Sequence, residues 1–194
     1  EPVINGYGDR VLYTTTASNL LVETDTNSVS DIILYHIDSG LSERINRTEE
    51  GEEMTTVARH PSLSGDGSVA VYEVGDKEAY RQIYLARLDS SGTSILSPVS
   101  SHDEEGNPLD NHHPAISPDG RYIAYVEESA SSEYSLILLD LQEESVVRWP
   151  CPVDIADAQL LRPLFYPAEQ RVEWTVIDEG GVAHTFGQNI ERAD

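Results

Sequence analysis

One phrase occurs four times along this chain, and recurrence at a near-constant interval restricts a sequence to repeat architectures before composition is considered. Its fullest copy is His113-Pro114-Ala115-Ile116-Ser117-Pro118-Asp119-Gly120, running on into Tyr122-Ile123-Ala124-Tyr125-Val126. An earlier copy is His60-Pro61-Ser62-Leu63-Ser64-Gly65-Asp66-Gly67, followed by Val69-Ala70-Val71-Tyr72. Degenerate copies open at Glu1-Pro2-Val3-Ile4 and at Arg162-Pro163-Leu164-Phe165. The aligned prolines Pro2, Pro61, Pro114 and Pro163 stand 59, 53 and 49 residues apart. That interval is close to the roughly 40–50 residues of one blade in a radial β-sheet array.

Each copy has the same local logic. A short apolar segment meets a tight turn such as Pro118-Asp119-Gly120, where Pro presets φ and Gly accepts positive φ. The alternating run that follows reads as a strand. A further strand ends on Asp in Leu136-Ile137-Leu138-Leu139-Asp140, as it does in Ile32–Asp38 and Ile83–Asp89. Outermost strands are expected around Ser42–Ile45, Ser94–Leu96 and Val146–Arg148. Four strands per repeat make a four-stranded antiparallel blade, so the fold expected is an all-β propeller of about four blades. The repeats span approximately residues 1–59, 60–112, 113–161 and 162–194. Long amphipathic helical patterns are absent, and the nearest candidate, Ile155–Leu161, is short.

These residues resemble the TolB-like, WD-repeat-like β-propeller family, whose mark is a Pro-x-apolar-Ser-Pro-Asp-Gly segment followed by a strand ending in Asp. The third copy matches nearly throughout, and the second lacks only the second Pro. The fourth keeps its Pro and its strands but has lost the Asp-Gly turn and its outermost strand. The resemblance covers essentially the whole chain. It implies a propeller scaffold that binds protein or peptide in the bacterial envelope or the extracellular space. Propellers of this type usually have six or more blades. Four blades therefore suit a compact small ring, which is the arrangement expected here, a part of a longer ring, or half of a ring completed in a homodimer.

Charge narrows the partners. Thirty-five acidic residues against 12 basic ones give a formal charge of −23 and a pI near 4.3. Such a field repels nucleic-acid phosphates and anionic lipid surfaces. Salt adaptation produces the same excess without any binding site. No apolar run is long enough to span a membrane, and the chain opens on Glu1 without a signal-peptide pattern, as a mature or trimmed chain would. The single Cys151, in Trp149-Pro150-Cys151-Pro152, has neither metal-ligand nor redox-pair spacing and reads as structural.

Three clusters are candidate sites. Asp25, Asn27 and Asp31 offer oxygen ligands along one loop and could wrap calcium, although the turn Gly and bidentate Glu of an EF-hand are missing. The competing reading is an Asx-rich turn that satisfies its own backbone. The residues preceding the repeat prolines (Glu1, His60, His113 and Arg162, with His112 beside them) sit on innermost strands and would meet at the channel mouth. There they could hold a peptide or protein ligand or, through the imidazoles, a transition metal. Relatives of the family that cleave polysaccharides use channel histidines in that way, and Arg162 opposes such a role here. The acidic stretches His102–Asp110 and Glu49–Glu53 read as solvated loops.

Catalytic motifs are missing. There is no Gly-x-Ser-x-Gly elbow, and no phosphate-cradling Gly-rich loop accompanies the one lysine, Lys77. The function expected is thus a non-catalytic binding propeller. The alternatives are a metal-dependent polysaccharide lyase using the channel histidines, the regulatory propeller of a larger peptidase, and a calcium-bound adhesin module.

Overall fold

Alternating apolar runs bounded by Gly- and Pro-containing turns form antiparallel strands throughout the computed structural model. It describes residues 2–21, 25–48, 50–76, 80–89, 92–100, 109–129, 133–151 and 159–190. Blade 1 is β1 (Val3–Ile4), β2 (Arg10–Thr15), β3 (Asp31–His36) and β4 (Leu41–Arg44), paired in that order. Blade 2 is β5 (Ala58–Leu63), β6 (Val69–Val74), β7 (Gln82–Asp89) and β8 (Gly92–Pro98). In blade 3, β9 (Asp110–Ile116), β10 (Tyr122–Glu128), β11 (Tyr134–Asp140) and β12 (Ser145–Pro150) repeat the meander. Blade 4 holds β13 (Gln159–Leu160), β14 (Leu164–Tyr166), β15 (Arg171–Ile177) and β16 (Ala183–Asn189). Both β13 and β14 pair with β15, at its two ends, while β16 pairs along its whole length. They are therefore one inner strand interrupted around Arg162-Pro163, and blade 4 has no outermost strand among the described residues.

The all-β fold of about four blades is the one the repeats imply. Of the helical candidate Ile155–Leu161, residues 155–158 lie outside the described residues and Gln159–Leu160 are extended.

The recurring Ser-x-Asp-Gly has a specific task. Ser117 Oγ donates to Asp119 Oδ1 and accepts from the Tyr122 N–H, closing the turn between β9 and β10. Ser64 repeats both bonds with Asp66 and Val69. In blade 1 the amide of Asn5 replaces the serine and accepts from the N–H groups of Asp9 and Arg10. These turns also touch one another. Gly6 N–H donates to Gly65 O (2.7 Å), and Gly65 N–H donates to Pro118 O (2.8 Å). A Cβ on Gly6 or on Gly65 would stand 2.8 Å from the facing carbonyl oxygen, so both positions need glycine. Pro118 has no N–H, and the relay stops there.

The core is distributed between blades. Leu12, Ile32 and Leu34 of blade 1 pack on Ala70, Tyr72 and Ala86 of blade 2. Val71 and Leu85 meet Ile123, Tyr125 and Ile137 between blades 2 and 3. Tyr122, Val126 and Leu136 meet Val172 and Trp174 between blades 3 and 4. Each large side chain buried in this way contributes roughly 1.5–3 kcal/mol. The clusters of described residues make three interfaces, and none of them joins blade 4 to blade 1; each blade finds its apolar partner in its sequence neighbour.

Candidate functional site

The inner strands of successive blades lie side by side, with β1 next to β5, β5 next to β9, and β9 next to β14. The His-Pro phrases sit on these strands and deform them. In β5, His60 and Pro61 together oppose Tyr72, between the pairs Arg59↔Glu73 and Ser62↔Val71. In β9, His113 and Pro114 likewise oppose Tyr125, between His112↔Val126 and Ala115↔Ala124. Each is a β-bulge with two residues against one, a distortion that re-aims side chains. Proline lacks the N–H that a regular ladder would need and so fits the unpaired position. Both histidines take left-handed φ values, 52° for His60 and 51° for His113. That conformation is costly for a non-glycine residue, and the more so ahead of proline.

The two bulges bring the imidazoles together. The rings of His60 and His113 stack with centroids 4.3 Å apart and planes inclined by 27°. Glu73, on β6 and wholly buried, reaches both. Its Oε2 lies 3.1 Å from His60 Nδ1 and accepts the His113 backbone N–H, also at 3.1 Å. Its Oε1 pairs with Arg59 Nε at 3.1 Å. Burial alone would raise the Glu73 carboxyl, but the His60 hydrogen bond and charge, with the His113 N–H, outweigh it and hold the group below the usual carboxylate range. Burial, and then the charge on His60, lowers His113 to about 4, leaving a neutral ring at pH 7. Its Nδ1 is buried without a hydrogen-bond partner among the described residues.

A second layer flanks this trio. Arg81 grips Asp110 through its backbone N–H and its Nε, each 2.8 Å from Oδ1. His112 Nε2 lies 3.3 Å from Arg81 Nη2, 3.4 Å from Glu128 and 3.6 Å from Asp110. Burial, followed by the Arg81 charge, lowers His112 to about 4. Arg162, at the break in the inner strand of blade 4, is close enough for its charge to disfavour protonation of His113. The structure therefore brings His60, His112 and His113 together, with the Arg162 charge felt at His113. Glu1 lies outside the described residues. In a chain of net charge −23, this patch sets Arg59, Arg81 and Arg162 against Glu73, Asp110 and Glu128, and so is locally balanced.

Glu73, Arg59, Arg81 and Glu128 were not legible as site residues. The available signal was Glu73 itself, a charged residue inside the otherwise apolar Val69-Ala70-Val71-Tyr72-Glu73-Val74.

The loop with Asp25, Asn27 and Asp31 is built differently. Asp25, Asp31 and Glu53 converge, and the buried guanidinium of Arg44 stands among them, 3.1 Å from Asp31 and 3.8 Å from Asp25 and in contact with Glu53. Asn27 accepts the Val29 N–H and donates to Met54 O, serving the backbone as an Asx turn does. Of the acidic stretches, residues 102–108 and Glu49 lie outside the described residues. Cys151, the chain's one cysteine, is half-buried and packs against the core between blades 3 and 4.

One further concavity follows from the halted relay at Pro118. Between the turn of blade 3 and Tyr166-Pro167 of blade 4 lies a cleft of about 340 Å³, lined also by Phe165, Tyr122 and Ile190.

The sequence matches no protein-family model and no curated protein. Solved structures do match. TolB from Acinetobacter baumannii is 19% identical, with a TM-score of 0.54, over 93% of this chain and 40% of that one. A TolB-type protein from Agrobacterium tumefaciens is also 19% identical, with a TM-score of 0.56, over 95% of this chain and 63% of its own. The β-propeller domain of the Trilobed protease from Pyrococcus furiosus, described as having an open velcro topology, is 13% identical at a TM-score of 0.56, over 95% and 55%. This chain therefore spans less than two thirds of the length of each of these structures. The repeats and the structural likeness agree: the chain has the fold of the TolB-like β-propellers.

Proposed function

We propose that this chain is a non-catalytic propeller that binds a protein or peptide at the channel mouth formed by His60, His112, His113 and Arg162, in the periplasm or outside the cell. The observation that carries the reading is the pair of proline-backed bulges. They hold two histidines in a costly backbone conformation and aim them at one another beside charged, partly accessible groups. Strain of this kind collects where a site is pre-organised. The alternating Arg and carboxylate groups suit a peptide, whose backbone and termini offer both donors and acceptors. The likeness to TolB structures supports a scaffold role, and no nucleophile–base pair was legible in the sequence.

The test is a peptide-display selection against the chain, followed by calorimetry. Selected peptides should bind Arg162→Ala and His60→Ala at least tenfold more weakly than the wild type, while Arg171→Ala on blade 4 leaves binding unchanged. Equal binding to all three variants, or failure to enrich any peptide, would sink the assignment.

A second reading has its own support. Prolyl oligopeptidase B from Galerina marginata matches 98% of this chain at 14% identity, with a TM-score of 0.58, yet only 26% of that enzyme is covered. The chain then acts as a propeller attached to a hydrolase. Finding such a domain in the natural polypeptide would favour this reading over a free-standing scaffold.

A further inference from the structure

We propose that the cleft between blades 3 and 4 receives an arginine side chain of a partner protein. Its origin is local. At the first two blade junctions the turns touch, through Gly6 N–H to Gly65 O and Gly65 N–H to Pro118 O. At the third junction prolines stand on both sides, Pro118 on blade 3 and Pro167 on blade 4, and neither has an N–H to continue the relay. A cleft of about 340 Å³ lies there instead, at the small end of ligand pockets. Its walls include Pro118, Tyr122, Phe165, Tyr166, Pro167 and Ile190. None of its lining residues belongs to the histidine and arginine set of the channel mouth, so this site is separate from the one proposed above.

Three observations point to a guanidinium. First, the walls are aromatic and proline rings, flat surfaces on which a planar, weakly hydrated cation stacks. The chain already makes this contact itself, with Arg121 Cζ 4.9 Å from the centroid of the Tyr122 ring. Second, the charge is complementary. Asp119 lines the cleft, and the two cations beside it have acidic partners, Arg121 in Asp140 at 2.7 Å and Arg171 in Glu173 at 2.8 Å. The head of Arg171 also lies against Gly187 on β16. With Glu143 3.9 Å from Arg121, the carboxylates of Asp119, Asp140, Glu143 and Glu173 outnumber these two guanidiniums, in a chain of net charge −23. Third, the hydroxyl of Tyr122 is buried without a hydrogen-bond partner among the described residues, a costly state for a polar atom. An arginine head brings five donors and no acceptor, and so suits a wall with an unmet oxygen. Lysine, a compact and strongly hydrated point charge, suits stacked rings less well.

The full chain is titrated by NMR with three end-blocked tripeptides, Gly-Arg-Gly, Gly-Lys-Gly and Gly-citrulline-Gly, reading the ring protons of Tyr122, Phe165 and Tyr166. The arginine peptide should shift these signals saturably, and less so as salt rises. The citrulline peptide, which keeps the shape without the charge, should bind about tenfold more weakly, and the lysine peptide about threefold. Asp119→Asn retains the oxygen that accepts from the Ser117 hydroxyl and the Arg121 N–H, and so spares the turn; it should weaken the arginine peptide about threefold. Tyr166→Ala, at an exposed side chain, should weaken it about fivefold. Arg162→Ala, which acts at the channel mouth, should leave this titration unchanged, so failure here is distinct from failure of the peptide-binding function. Absence of shifts at the three rings in the folded wild type, equal binding of the citrulline or lysine peptide, or unchanged affinity in folded Tyr166→Ala overturns the site.

Discussion

Single residues carry two kinds of electrostatic work in this molecule. Asp140, the aspartate that ends the third strand of its repeat, accepts Arg121 Nε at 3.0 Å and Nη2 at 2.7 Å and caps the next turn through the Gln142 N–H. The Arg121 hydrogen bonds hold its carboxyl below the usual range. A depressed carboxyl stabilises the fold above its unfolded pKa, and the contribution disappears as pH falls through the folded one. Asp140→Asn should therefore cost about 1–3 kcal/mol at pH 7. In urea titrations the gap from the wild type should narrow only below about pH 4; a gap independent of pH down to 2 would refute the pairing. Arg44 does the opposite task, neutralising Asp25, Asp31 and Glu53 from within. Arg44→Ala should cost on the order of 3–5 kcal/mol, because the buried carboxylates lose their counterion. In that variant added calcium should raise the melting temperature, whereas in the wild type the guanidinium already stands where an ion would, and chelation should leave the melt unchanged.

At the scale of elements, turns and bulges decide the geometry. Gly65→Ala would press a Cβ against Pro118 O at 2.8 Å. It should destabilise the chain by about 1–3 kcal/mol, measured as a lower urea midpoint at unchanged slope. The strands and their order were legible because period-two alternation and the Ser-x-Asp-Gly turn are local signals. The fourth copy's loss of its Asp-Gly turn was legible too, but the break in its inner strand around Arg162-Pro163 was not. The bulges were not. A His-Pro dipeptide does not reveal whether its histidine continues the ladder or leaves it, since that depends on the register of the facing strand. For the same reason the convergence of His60 and His113 could be anticipated from repeat symmetry, while Glu73 could not. Its approach depends on how far blade 2 is rotated against blade 3. Arg44 at the calcium candidate escaped for a related reason, since it comes from another strand 13 or more residues away from Asp31.

For the whole molecule, what matters is that, among the described residues, three cores join each blade to its sequence neighbour. Trp174→Ala, which empties the interface between blades 3 and 4, should cost about 3–5 kcal/mol and be read by urea unfolding. Stability in such a linear array is a sum over units and their neighbours, and end units open first. Amide exchange should accordingly be slowest in β6 and β10, which have packed neighbours on both sides, and faster in β2 and β15; uniform protection would show that the ends are clasped. The proposed binding site straddles this gradient. Its histidine pair is seated between blades 2 and 3, whereas Arg162 rides on blade 4, which among the described residues packs on blade 3 alone. Any ligand held by both has two clocks: a slow one set by the middle of the array, and a fast one set by the breathing of blade 4. The residence time follows the second, so a partner that braced blade 4 would lengthen the lifetime of a complex without touching the ligand at all.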